Sequence, residues 1–195
     1  MEIMAGSRLE KKLIDREREI SRCIKEVSYC FDKNGNVIFK KDGSRTAVKY
    51  SMNDKINMRD NILTHNHPFQ TDLEKYGTGN TSVFSSADLI IAYQNKPKQF
   101  RMVIGDERHS IQWTGATKAV AQDLIERLKI LEKDCNERIE RVYEKIYTGK
   151  YKSIEQYYRE YCTAVKRHTI YSLLLLTKWQ RKDYIFTKEI VKLTA

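Results

Sequence analysis

Two histidines stand one residue apart in Thr64-His65-Asn66-His67-Pro68. A stretch rich in Gly, Thr, Ser and Asn follows, and then Phe84-Ser85-Ser86-Ala87-Asp88-Leu89. In an extended strand, residues i and i+2 point to the same face, so His65 and His67 present their imidazoles side by side. Two such rings can grip one divalent cation. Pro68 stops the strand just beyond them, which sets the pair at a sheet end facing a loop. Asp88, in the first turn of the helix that Ser85 opens, offers the third ligand, and the helix dipole favours a carboxylate there. Two His and one Asp, with a water in the fourth position, make an open zinc site of the catalytic kind. Such an ion lowers the pKa of its water and polarises a carbonyl, which is the chemistry of amide hydrolysis.

The same segments have plainer readings. A His-x-His pair can be an ordinary strand with one solvated face. Ser85 with Asp88 three residues on also reads as a helix cap, and capping does not preclude ligation. Asp72 and Glu74, in the interval 69–84, are the competing carboxylates.

His65-Asn66-His67-Pro68 followed by Ser85-x-x-Asp88 resembles the signature of the JAMM (Jab/MPN+) metalloproteases, and within them most closely the RadC-like and phage-associated members. The resemblance covers residues 26–113 in strand and helix order, or 26–195 if the C-terminal helices are an extension. It implies a mixed, mostly antiparallel α/β sheet of the JAMM/cytidine-deaminase kind, flanked by helices, with His65, His67 and Asp88 as ligands to Zn2+. It further implies that Ser85 hydrogen-bonds the developing oxyanion and that an upstream glutamate is the general base. Glu26 occupies that place in chain order, with Glu19 and Glu17 as fallbacks. The interval 69–84 is longer than is usual in the family. The implied substrate is a polypeptide amide, with a ubiquitin-like tail, a phage or toxin protein and a cell-wall amide all left open. RadC-like proteins also supply the rival reading, a non-catalytic protein that binds DNA or a protein partner.

These residues need a scaffold, and the chain can build one. It has 195 residues, 41% hydrophobic and 32% charged, which suits one compact domain with an appendage and excludes a wholly disordered chain. Residues 1–23 read as an amphipathic helix, with Leu9, Leu13 and Ile20 at helical spacing. Residues 24–115 form the metal-binding core. There Val27–Phe31, Val37–Phe39 and Thr46–Tyr50 read as three strands joined by the turns at Asp32–Gly35 and Asp42-Gly43. A short helix or loop over 51–61, a buried strand Asn61–His65, a mobile surface loop 69–84 and a helix from Ser85 to about Asn95 come next. Strands Phe100–Ile104 and His109–Trp113 then flank the turn Gly105-Asp106. Residues 116–195 read as a helical hairpin, one helix from Thr117 to near Gly149 and a second over Ser153–Trp179.

Composition narrows the partners. Thirty-six Lys and Arg against 26 Asp and Glu give a net charge of +10. The excess is +4 over 1–115 and +6 over 116–195, so it is spread rather than gathered in an arm. That is compatible with nucleic-acid contact without requiring it. Cys23, Cys30, Cys135 and Cys162 form no C-x-x-C pair, which suits reduced thiols. No secretory leader or membrane span is evident, so the expectation is a soluble, cytoplasmic protein whose C-terminal helices offer a face to a second copy. His109 and His168 read as packing residues, as does the Tyr157, Tyr158 and Tyr161 cluster.

Overall fold

A computed structural model describes residues 8–68, 83–115, 117–178 and 184–191. It is a mixed α/β protein. Six strands, β1 (Val27–Phe31), β2 (Val37–Asp42), β3 (Ile62–Asn66), β4 (Gln99–Ile104), β5 (Glu107–Trp113) and β6 (Tyr184–Ile190), form one sheet in the order β2-β1-β3-β4-β5-β6. Every pair is antiparallel except β3 and β4. Antiparallel neighbours can be joined by tight turns, whereas a parallel pair needs a long crossover. Residues 67–98 supply it, and they include helix α3 (Ser86–Asn95).

The chain divides into two compact units, residues 1–69, 91–114 and 184–195 in one and residues 70–90 and 115–183 in the other. The first unit holds the sheet together with α1 (Arg8–Ile20) and α2 (Met52–Met58). One face of α1 carries Leu13 and Ile20, which pack on Val27, Tyr29, Phe31, Ile62 and Val103. By strand alternation Ser28, Cys30, Leu63 and His65 face the other way. The second unit contains the long helices α4 (Lys118–Tyr147) and α5 (Ile154–Lys178), which form an antiparallel pair with Cys135 against Ala164 and Lys145 against Glu160. Thr117 caps α4, and Gly149 adopts the left-handed conformation (φ 65°) just past its end. No helix among the described residues is long and apolar enough to cross a membrane.

Three sequence expectations need correction. Thr46–Tyr50 is not a strand. The Ser44 hydroxyl accepts from the amides of Thr46 and Ala47, and the Ser44 amide donates to the Ala47 carbonyl, so the segment curls into a turn. Tyr184–Ile190, allotted to the helical hairpin, is instead β6. It buries Tyr184 and Phe186 and brings them edge-on to Trp113 and His109. Val83 and Phe84, expected in a surface loop, are buried, while residues 69–82 of that loop, with Asp72 and Glu74, lie outside the described residues.

The turn after β2 also holds Glu26. The Glu26 amide donates to the Ser44 carbonyl and its own carbonyl accepts from the Gly43 amide, both at 2.8 Å. A Cβ on Gly43 would come within 2.4 Å of the Ala47 carbonyl oxygen and 3.0 Å of that of Glu26. Backbone atoms cannot swing aside as a flexible side chain would. Gly43→Ala is therefore expected to cost about 1–3 kcal/mol in urea unfolding, as overpacked sites do. A change within 0.5 kcal/mol, in the ~±0.5 range of neutral surface substitutions, would mean that this turn relaxes freely.

Candidate metal centre

β3 sets the two histidines. It lies between β1 and β4 in the middle of the sheet, with all five of its residues buried. His65 is 2% exposed, stacks on Phe100 at 4.9 Å and meets the ring of His67 edge-on at 5.1 Å. Its Nδ1 lies 3.0 Å from the Arg101 carbonyl oxygen. A carbonyl only accepts, so Nδ1 carries the proton and Nε2 presents its lone pair, the tautomer that a metal-ligating imidazole needs. His67 is half-buried just past the strand, where its amide donates to the Val103 carbonyl and extends the parallel ladder by one bond.

The third side chain comes from α3. Ser85 and Asp88 form a reciprocal cap in which the Ser85 amide and hydroxyl both donate to Asp88 Oδ2, at 2.8 and 2.7 Å, and the Asp88 amide donates back to Ser85 Oγ. Glu132 of α4 adds a second clamp, because both the amide and the hydroxyl of Ser86 donate to its carboxylate at 2.6 Å. Asp88 is 8% exposed and its rotamer is set by Ser85.

His65, His67 and Asp88 each offer one ligand atom, and these atoms lie within 4.8 Å of one another. Ligand atoms around a tetrahedral zinc are about 3.3 Å apart at ordinary bond lengths. Two imidazole nitrogens with one carboxylate oxygen are a donor set that suits zinc. The residues fit the ion.

A second Ser-x-x-Asp cap shows what the motif alone can do. Ser51 and Asp54 at the start of α2 repeat the bonds of Ser85 and Asp88, but Asp54 pairs with the Lys41 ammonium at 2.9 Å. Two equivalent caps thus face different neighbours, a lysine in one case and two imidazoles in the other. Ser85→Ala and Ser51→Ala should each cost about 1 kcal/mol of stability. Only Ser85→Ala should also weaken zinc binding, by about 10–100-fold in a chelator competition, as loss of a ligand-orienting partner does. Equal zinc affinity in the two variants would show that Asp88 needs no help from Ser85.

Glu26 is half-buried immediately before β1. The β1–β3 ladder ends at Ser28 and His65, and beyond it the Val27 amide donates to Asn66 Oδ1 at 2.6 Å, so Glu26 lies just outside the ladder at the same sheet end as His67. The fallback glutamates are on the wrong side. Glu17 is fully buried on the α1 side, where it meets Thr64, Arg101 and Arg108, and Glu19 accepts from the Tyr29 hydroxyl. Thr64 and Tyr29 alternate with His65 and Ser28, so neither glutamate shares the histidine face.

No protein-family model, curated protein or solved structure matches the chain. The site therefore rests on its own geometry.

Sequence reasoning treated His109 as a packing residue and gave Glu107 no role. His109 is fully buried, and its partner Met102 on β4 pairs in turn with His65. Its Nε2 lies 3.5 Å from a Glu107 oxygen that Lys188 also approaches at 2.9 Å. Burial pushes the imidazole below its ordinary range, despite Glu107, and His67 and Lys188 push it the same way. Period-2 alternation through His109 and Glu107 was the available signal. Its meaning needed β6, which supplies Lys188.

Proposed function

We propose that this protein is a zinc-dependent hydrolase of the JAMM-like kind, cleaving a peptide or isopeptide bond. The observation that supports it is the gathering of His65, His67 and Asp88. Zinc held there would supply a Lewis acid and lower the pKa of a water. His65 and His67 donate nitrogen lone pairs, and the hydrogen bond to Arg101 keeps His65 in the required tautomer. Asp88 contributes a negative oxygen while Ser85 holds its other oxygen still. Glu26 stands at the same sheet end and acts as general base, taking a proton from the attacking water and passing one to the leaving amine. The Ser85 hydroxyl bonds to Asp88, so in this reading Ser85 first orients a ligand and reaches an oxyanion only by letting go of that carboxylate.

The test is turnover by zinc-loaded protein on a quenched-fluorescent peptide library and on ubiquitin dimers, beside Glu26→Gln. The variant should keep its zinc and lose about 100-fold or more of the rate, the scale of a lost general base. Undiminished cleavage by Glu26→Gln would remove Glu26 from the mechanism. Absence of cleavage by the zinc-loaded wild type on every probe would favour the rival, a binding protein that retains the site.

A further inference from the structure

Between α4 and α5, within the second unit and apart from the histidines, lies a cavity of about 400 Å³. Arg138, Arg141, Lys145, Arg159 and Arg167 line it, with Glu160 as the only carboxylate among its lining residues. Val142 and Ala164 are buried beneath them and give it an apolar floor. This is not an average sample of the helix. α4 carries seven basic and seven acidic side chains, yet its three charged residues at the cavity are all basic. They recur at i, i+3 and i+7, one stripe about 10 Å long.

The cations are not equally engaged. Arg138 pairs with Asp134 at 2.8 Å, Lys145 pairs with Glu160, and Arg167 lies over the Tyr171 ring. Arg141 and Arg159 are exposed and form no ion pair among the described residues. Five cations against two carboxylates, Glu160 in the lining and Asp134 beside Arg138, still leave a positive cleft. One guanidinium saturates a carboxylate, whereas a phosphate ester spreads charge over several oxygens and accepts from several forks at once. The size is that of a small-ligand site.

We propose that this cleft binds phosphate esters, with Arg141 and Arg159 as the principal contacts. It goes beyond the hydrolase reading and does not depend on it. The chemistry is shared by a free nucleotide and by the backbone of a single-stranded nucleic acid, so both are probed. Full-length protein is titrated against fluorescein-labelled 20-residue oligothymidylate by anisotropy, and against ATP by calorimetry, with poly-glutamate as the carboxylate control. Arg141→Ala/Arg159→Ala should weaken whichever ligand binds by about tenfold or more. For the oligonucleotide it should also reduce the salt slope by about 1.4, two single-strand contacts at roughly 0.7 each. Arg127→Ala/Lys133→Ala removes the same charge from α4 outside the cavity and should change affinity less than about twofold, since what is lost is long-range attraction alone. Arg141→Lys/Arg159→Lys keeps the charge and checks that losses are not due to misfolding. It should retain more affinity than the alanine pair.

Binding of ATP alone assigns the cleft to a free nucleotide, and binding of the oligonucleotide alone to a strand. Binding of both supports the shared phosphate chemistry. The proposal is overturned if neither binds, if poly-glutamate binds as tightly, or if the two alanine pairs lose equal affinity.

Discussion

Wild-type protein loaded with zinc and freed of excess is expected to hold close to one equivalent by elemental analysis, and His65→Ala close to none. Asp88→Asn is the sharper variant. Its amide oxygen can still accept from Ser85, so the cap on α3 survives while the anionic ligand is lost. Zinc affinity should fall by about 100-fold or more, beyond the effect of losing an orienting neighbour. Stability without metal should change by less than 1 kcal/mol, below the ~1 kcal/mol of a lost cap. An independent readout is the melting temperature. At a hundredfold excess of zinc over its dissociation constant, the native state gains about 2.7 kcal/mol. His65→Ala should show none of that gain, and Asp88→Asn, with its affinity down 100-fold or more, at most about 0.4 kcal/mol of it. If Asp88→Asn holds a full equivalent with unchanged affinity, Asp88 is a cap and not a ligand.

The second large effect lies on the opposite face. Glu17 is fully buried on the stripe between Leu13 and Ile20, and its carboxylate meets Arg101 at 3.2 Å and Arg108 at 3.0 Å. Glu10 bonds both arginines as well, and Glu189 of β6 bonds Arg108. Removing one partner of a buried ionic group costs about 3–5 kcal/mol, because the remaining charge is left uncompensated. Glu17→Ala should therefore lose a large share of a total stability of about 5–15 kcal/mol in urea. Glu189→Ala should cost less, about 1–2 kcal/mol, because Glu189 is half-buried and Arg108 keeps both Glu10 and Glu17. Similar losses in the two variants would mean that water reaches Glu17.

Glu10 adds a pH signature to the same cluster. Burial pushes its carboxyl up, but the hydrogen bond and charge of Arg101, followed by those of Arg108, outweigh this and hold it below its ordinary value of 4.5. A carboxyl lowered on folding stabilises the native state above its unfolded pKa. That contribution is lost as pH falls through the folded value. Unfolding free energy should decline below about pH 4.5, and Glu10→Gln should flatten that decline.

Of the candidate site, the pairing of His65 and His67 was legible in the sequence, since strand alternation places the two on one face whatever surrounds them. The strands at Val27–Phe31 and Ile62–Asn66 carried their own β-branched and aromatic signals, and α4 its long heptad-like stripe. What escaped were features that depend on distant partners. Glu17 sits where the α1 pattern calls for an apolar residue, and only Arg101 and Arg108, more than eighty residues away, make its burial tolerable. Thr46–Tyr50 has strand composition, but Ser44 bonds its backbone locally and diverts it into a turn. Tyr184–Ile190 alternates as a strand should, yet its partner β5 ends seventy residues earlier.

That separation has a consequence for biosynthesis. Residues 114–183, including both long helices, emerge between the two halves of the β5–β6 ladder, so β5 leaves the ribosome with one side unpaired. At about 5–20 residues per second the wait lasts several seconds or more, ample time for the local helical pair to form first. Nascent chains stalled before Tyr184 should accordingly be the aggregation-prone species, and those extended past Ile190 should not.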